Sequence, residues 1–347
     1  MQENLKICIK FLNDNNIFFE ENFDLKKKSW LKAGGKFELY IQPENIIDIK
    51  KIIYFFKENK IKFYVVGSIS NIIFRDGIIK TPIINLKKFD KIKEINDLKN
   101  SIEFEVYCGI SIYKFVSNVS TNFKISGLEG LVGIPGSLGG GIYMNASSYN
   151  SYISEYLKEV HFINNDCEII KLKKEEIKFD WRSSIFHKKK DFIILSAIFS
   201  FPKKNIIEFE LINEEIKKVK NHRAKFQEKK LPNLGSLFAT KNLYEDIAKS
   251  GSLYNILYLF NKFTTKVIFR FFNTNLLIIF RKFIVRVYSL LLGIKKNDCF
   301  QLSDRTINCL VNKNSSSANE AIKTIRNYEK KINYSQKLEN IIMEEID

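Results

Sequence analysis

Seven glycines fall between Gly127 and Asn145, in GLEGLVGIPGSLGGGIYMN, although the whole chain has only 15. Glycine costs backbone entropy, so a chain otherwise poor in it does not concentrate it to make an ordinary helix or strand. Two uses remain open: a run of tight turns that packs two elements together, or a cradle. In a cradle, positive φ and bare N–H groups approach an anion. Pro135, the apolar spacers and the closing Tyr143-Met144-Asn145 favour the cradle. A shorter candidate, Gly67-Ser68-Ile69-Ser70-Asn71, follows an apolar run ending at Val66, and a turn directly after a strand is a common phosphate site. His161, His187 and His222 are scattered and offer no metal-ligand spacing. The five cysteines are odd in number and lack a CxxC pair, so they read as buried thiols in a reducing compartment.

The elements that must position these glycines follow from periodicity. Residues 3 to 13 suit a short helix. From Lys36 to Gln42 apolar and polar residues alternate, the period of a half-buried strand, and Asn45 to Glu58 carries apolar residues at helical spacing. With a strand from Ile61 to Val66 these make a β-α-β unit that delivers Gly67. A second unit, strand Ile102 to Tyr107 and helix Ser111 to Thr121, delivers the glycine-rich stretch. Lys158 to Ile163 and Glu168 to Leu172 flank Asn164-Asn165-Asp166 as a hairpin, and Asp191 to Phe201 is a strongly apolar strand. A polar helix from Asn213 to Lys230 marks a domain boundary. Gly235-Ser236-Leu237-Phe238 then starts a strand, and Ile307 to Val311 forms another. Ser317 and Glu320 have capping-box spacing at the head of a last helix.

At 347 residues, 45% hydrophobic and 27% charged, the chain is globular and large enough for two or three domains. The charge of +17 comes from lysines spread along the chain, with no recognition motif beside them. A solvated basic surface, attractive to phosphates or anionic lipid, is expected, and nucleic acid is not an expected partner. The N-terminal residues lack an apolar signal core, so a cytoplasmic protein is expected.

With Trp181-Arg182-Ser183-Ser184-Ile185-Phe186 and Gly235 to Phe238 added to the two glycine loops, the chain resembles the UDP-N-acetylenolpyruvoylglucosamine reductases. These are flavoenzymes of peptidoglycan precursor synthesis, also called UDP-N-acetylmuramate dehydrogenases. The resemblance runs from about Trp30 to Phe238 and resumes from Leu302 to about Ser317. It implies an α+β fold. A two-part FAD-binding domain of the PCMH or vanillyl-alcohol-oxidase type would cover 1–205, in subdomains of about 1–88 and 89–205. A smaller substrate-binding domain would cover 206–347. It implies FAD as cofactor, NADPH as hydride donor and a UDP-sugar as substrate. Gly67, Ser68, Ser70 and Asn71 match the family's pyrophosphate loop. Gly133, Ile134, Pro135, Gly136, Ser137, Gly140 and Asn145 fall in its second flavin loop. Arg182 matches the arginine of its Tyr-Arg-x-Ser-x-Phe motif, and Ser236 matches its proton-donating serine. The chemistry asks for such groups. Hydride delivery to an enolpyruvyl double bond throws negative charge toward the carboxylate, which a guanidinium can hold, and the resulting carbanion needs a placed proton donor. Taken singly, Arg182 also suits a surface ion pair and Ser236 a plain turn.

The sequence departs from the family at several points. Ile69 stands where the pyrophosphate loop has its second glycine, and a β-branched residue there predicts a loop that bends differently or binds phosphate less tightly. Trp181 replaces a tyrosine, Ala239 a lysine and Thr306 a histidine. The family closes on Leu-Glu-x-Glu, the last Glu assisting protonation. Leu338-Glu339 would put Ile341 there, whereas Glu344-Glu345-Ile346 supplies Glu345, the carboxylate assigned; Glu339, or a charged tail that lacks the acid, stays open. Residues 252–296 have no counterpart. They are apolar but interrupted by Lys262, Lys266, Arg270, Arg281, Lys282 and Arg286. A helical wheel puts Lys262, Lys266, Arg270 and Arg281 on one flank. That suits either an inserted helical hairpin packed on its own protein or peripheral contact with a membrane. Ala239, Thr306 and the altered tail lie on the substrate side, which leaves open a flavoenzyme for another nucleotide-sugar or polysaccharide intermediate, while Ile69 and the basic apolar segment leave open a non-catalytic membrane-associated relative.

Overall fold

The computed structural model describes residues 2–343 other than 165, 190, 191, 269–273, 296, 297, 316 and 335. Glu345 lies outside the described residues.

The chain starts with α1 (Gln2–Asp14) and β1 (Phe19–Asp24), followed by β2 (Lys36–Ile41), α2 (Ile46–Glu58) and β3 (Tyr64–Val66). Asn45 caps α2, its side chain accepting from Asp48 N at 2.9 Å. Short strands β4 (Ile72–Phe74), β5 (Ile78–Ile79) and β6 (Ile83–Asn85) follow. The first sheet has the order β1-β2-β6-β3, with β5 also on β2. Its β2-α2-β3 succession is the anticipated unit, with a shorter last strand.

A second, wholly antiparallel sheet is built from β7 (Ile92–Asp97), β8 (Ser101–Tyr107), β11 (Leu157–Ile163), β12 (Ile169–Lys173) and β13 (Ile193–Pro202), in the order β12-β11-β13-β8-β7. Strand β13 sits at its centre and is buried along almost its whole length, as its continuous apolar run requires. Between β8 and β11 lie α3 (Ile112–Asn122), capped by Ser111, then α4 (Leu138–Tyr143) and a small hairpin, β9 (Ser147–Ser148) with β10 (Ser151–Tyr152). Residues of both sheets, of α2 and of α3 share one core, so the two subdomains pack as a continuous body.

The last third builds a second core, to which Leu31, Ala33 and Ile73 of the N-terminal region also contribute. Helix α5 (Phe209–Phe226) begins and ends four residues before the expected polar helix, since Phe209 and Ile212 turn toward the protein. Beyond it come α6 (Leu243–Ala248), α7 (Ser252–Phe263), a π turn at Thr264–Ile268, α8 (Thr274–Leu291), the hairpin β14 (Phe300–Ser303) with β15 (Thr306–Asn312), and α9 (Ala318–Lys331). Ser317 caps α9 as expected, and Asp76 from the first sheet region also binds that helix end. Strand β16 (Ile341–Met343) pairs in parallel with β4, so the chain's end returns to the first sheet's loops. Among the described residues, no helix is long and apolar enough to cross a membrane.

Three further expectations are corrected. Gly235 to Phe238 starts no strand and makes only an isolated bridge from Phe238 to Leu338. Of the basic residues expected on one flank of the insertion, Arg281 turns inward over the Phe226 ring at 4.4 Å while Lys262 and Lys266 stay exposed, and Arg270 lies outside the described residues. Cys8, Cys108 and Cys309 are buried thiols, but Cys167 is only half-buried and Cys299 is exposed.

Candidate functional site

The two glycine loops meet each other. A Cβ built on Gly67 would lie 2.0 Å from Ser137 Oγ, so only glycine allows this approach. Ser70 Oγ donates to Pro135 O at 2.8 Å, a second tie between the loops, and Asn85 Nδ2 holds Gly67 O at 2.9 Å. Ile69 does not bend the loop away: it takes φ 51°, the left-handed conformation a glycine would supply. That costs a non-glycine residue about 1–2 kcal/mol. Its side chain is only 3% exposed, in a small core with Val66, Phe74 and Ile79, and burying an isoleucine returns about 1.5–3 kcal/mol. The burial offsets the strain.

The glycine-rich stretch divides its work. Gly133 has φ 90°, as a cradle needs. From Leu138 onward, however, the chain forms α4, capped by Ser137, against the expectation that such a stretch avoids helix. Here glycine serves contact: a Cβ on Gly139 or Gly141 would lie 3.0 Å from Cys108 or Ile112 side-chain carbons. Asn145 is buried, donates to Asp180 O at 2.9 Å and accepts from Ser154 Oγ at 2.9 Å. It therefore ties the end of the stretch to the turn that carries Arg182 and does not line the cleft.

Between the loops and the last third opens a cleft of about 1890 Å³. Single small-molecule pockets occupy roughly 300–1,000 Å³, so this one has room for a dinucleotide and a second ligand together. Among the described residues, the N–H groups of Ser68, Ile69, Ser70, Gly136 and Ser137 line it without an acceptor from the chain. Backbone donors gathered in this way suit phosphate oxygens. Arg223 of α5 adds a cation. It is 5% exposed, its Cδ would be 3.0 Å from a Cβ on Gly133, and its guanidinium donates to Gly130 O (3.0 Å) and Ser148 Oγ (2.6 Å). Its Nε has no partner, and burial lowers its pKa. No carboxylate pairs with it among the described residues, so a bound anion would offset the cost of burying it. These features fit a dinucleotide cofactor.

Arg182 sits in a tight turn closed by hydrogen bonds between Asp180 and Ser183, with φ 52°. Its guanidinium lies 5.1 Å from the Trp181 ring and donates to Ser147 Oγ at 3.3 Å. Its Nε is 3.2 Å from Glu339 Oε1, within ion-pair reach but not aligned as a hydrogen bond. Burial raises the Glu339 carboxyl above its ordinary value, an effect that Arg182 partly opposes. Glu339, not assigned from the sequence, is therefore a protonatable carboxyl at the candidate site. The turn after Leu338 leads directly into β16, which starts at Ile341 and returns along β4, and this carries the Glu339 side chain to Arg182.

Ser236 lies exposed in the turn after Gly235, whose φ is 73°, and both line the cleft. The turn is held without strand pairing. Asn308 accepts from Phe238 N at 2.9 Å and donates to Phe238 O at 3.0 Å, and its carbonyl takes Leu237 N. Asn340 reaches Ser236 O (3.1 Å) and Asn71 Oδ1 (2.6 Å), while Asn71 donates to Glu339 O (3.0 Å). Asn71 and Asn340 thus lock the first glycine loop, Ser236 and Glu339 into one frame. Neither role could be read from an Asn in isolation. Ala239 leaves no cation at its own position, but Lys241, two residues on, lines the cleft, as does Thr306.

Residues 37–173 match the family described as FAD binding domain. A UDP-N-acetylenolpyruvoylglucosamine reductase of Clostridium botulinum is 32% identical over 241 residues, covering 69% of this chain and 75% of the relative. One from Listeria monocytogenes is 30% identical over 223 residues, covering 64% and 72%. The crystal structure of the Thermus caldophilus UDP-N-acetylenolpyruvylglucosamine reductase superimposes with a TM-score of 0.64 at 18% identity, covering 94% of this chain and 98% of that one, which shows a shared fold.

Proposed function

The chain belongs to the UDP-N-acetylenolpyruvoylglucosamine reductase family, and on that premise we propose how its own residues reduce the enolpyruvyl ether of UDP-N-acetylglucosamine to UDP-N-acetylmuramate, a step of peptidoglycan precursor synthesis. Bound FAD, reduced by NADPH, supplies the hydride. The free N–H groups of Ser68, Ile69, Ser70, Gly136 and Ser137 would hold the cofactor's phosphates, with the buried Arg223 guanidinium adding positive charge.

Arg182 binds the substrate carboxylate and opposes the charge that grows there, a task suited to a fixed fork of donors in a partly dehydrated site. Ser236 Oγ gives its proton to the carbon beside that carboxylate. Glu339, kept protonatable by burial and set against Arg182, takes the assisting role for which the sequence offered Glu345. Lys241 supplies charge for the UDP diphosphate, as the family's lysine would at Ala239. A cytoplasmic setting suits NADPH and a UDP-sugar, and the insertion at 252–296 gives the enzyme a second face fit for peripheral contact with a membrane.

The observation carrying this reading is the joining of Arg182, Glu339 and the Ser236 turn to the first glycine loop through Asn71 and Asn340. It is tested with Ser236→Ala under anaerobic rapid mixing. Reduction of the flavin by NADPH should survive, while reoxidation by the enolpyruvyl substrate slows by about 10²–10⁴-fold. Unchanged reoxidation would remove Ser236 from the chemistry.

A further inference from the structure

Helices α7 and α8 each bury one face on the protein and leave a second apolar face outside. On α8, Ile284, Val285, Tyr288 and Leu292, just past its end, are buried in the core of the last third, and Tyr254 and Leu257 of α7 pack against the same core. Facing outward are Ile256, Phe260 and Phe263 at 63%, 50% and 59% exposure, and Ile279, Phe283 and Leu290 at 62%, 56% and 73%. Within each helix these follow helical spacing, so they form stripes and not scattered exposures.

Both stripes lie on the sides of their helices away from that shared core. Ring centroids of Tyr254 and Tyr288 lie 6.2 Å apart and those of Phe260 and Phe280 6.0 Å apart, so the helices run side by side in opposite directions over one core. Soluble monomers rarely leave so much large apolar surface together without a partner.

Charge decides which partner fits. Between Asp246 and Asp298 the chain has no acidic residue and nine lysines and arginines. Lys262, Lys266, Lys282 and Arg286 are exposed on the described part of the pair. A second copy docked on this face would set these cations against their own images, since a twofold interface uses the same patch twice. Anionic headgroups meet them favourably, and long basic side chains reach such groups while their stems stay on the apolar surface. Neither helix qualifies as a membrane span, so the pair lies in the interface plane.

We infer that the outer face of α7 and α8 is a docking surface for a bilayer rich in anionic phospholipid, which holds this reductase at the membrane surface. This deepens the proposed peripheral contact and stands apart from the catalytic assignment. The test is co-sedimentation of the full-length, FAD-loaded protein with vesicles of phosphatidylglycerol and phosphatidylcholine, and with vesicles of phosphatidylcholine alone. Binding is expected to the anionic vesicles only and to weaken as salt is raised. The pair Phe260→Asp/Phe283→Asp, and separately the triple Lys262→Glu/Lys282→Glu/Arg286→Glu, should each weaken it at least ~10-fold. The rate of flavin reduction by NADPH should stay at the parent value in both, which certifies their folding. No binding to anionic vesicles, or equal binding to both compositions untouched by charge reversal, overturns the proposal. So does a dimer in vesicle-free solution that the phenylalanine variant converts to monomer, which would assign the face to a second copy. Loss of catalysis in an active-site variant that still binds vesicles bears only on the reductase chemistry.

Discussion

The glycine-lined cleft and the α7–α8 pair both break the ordinary rule that a fold satisfies its own groups, and they break it in opposite senses. At the cleft, among the described residues, backbone N–H groups of Ser68, Ile69, Ser70, Gly136 and Ser137 lack acceptors and Arg223 is buried without a carboxylate. On the helix pair, phenylalanines and isoleucines stay outside beside unopposed lysines. Unused donors and a buried cation call for a small anion, whereas exposed apolar stripes edged with cations call for a charged lipid surface. The kind of unsatisfied group thus tells the two ligands apart, and changes in one region should leave the other untouched.

The sharpest way to break that separation is Arg182→Ala. Removing a preorganised charge stabiliser should lower the rate of flavin reoxidation by about 10²–10³-fold, with vesicle binding at the parent level. Arg182→Lys should recover only part of the loss, because a point charge does not reproduce the fork. Stopped-flow absorbance at the flavin band reads both.

Glu339→Gln should slow the same step by about 10²-fold, the low end for a lost proton donor. It also carries a pH signature. Burial raises the Glu339 carboxyl, so the folded chain holds that proton more tightly than the unfolded chain does. The stability this contributes is fully present below the ordinary carboxylate pKa and is lost as pH rises through the raised value. Urea unfolding across that window should flatten in the glutamine variant, and an unchanged slope would contradict the burial argument.

Gly67→Ala forces a Cβ against Ser137 and should spread the two loops. Overpacking of this kind costs about 1–3 kcal/mol, or roughly 5- to 150-fold in FAD affinity by titration. Ile69→Gly is the smallest change. It relieves the strained φ but removes a buried side chain, so stability should fall by about 1 kcal/mol or more while FAD affinity holds. A stabilised variant would mean that the strain outweighs the packing.

The frame of the fold was legible because its signals are local and periodic. Alternation at Lys36 to Ile41, the Asn45 and Ser317 caps, and the apolar run of β13 each name their own element. The placements of Arg182 and Ser236 at one cleft followed from motif order. Other features depend on distant contacts. Ile69 at a glycine position signals an altered loop by its type alone, whereas the pocket that buries its side chain is built in part by residues distant from it in the sequence. Glu339 is marked only by the return of β16 to β4, which brings residue 339 beside residue 182. Asn71, Asn308 and Asn340 act through backbone groups that no spacing reveals. Arg223 lies in a helix of mostly polar sequence, where one buried arginine has no distinguishing neighbour.

The central claim is that this cleft passes hydride from NADPH through FAD to an enolpyruvyl double bond. Its most direct test is to reduce the purified wild-type protein with one equivalent of NADPH under anaerobic conditions and then add UDP-N-acetylglucosamine enolpyruvate. The flavin band should bleach and then return as UDP-N-acetylmuramate forms in equal amount. A flavin that stays reduced after the substrate is added would contradict it.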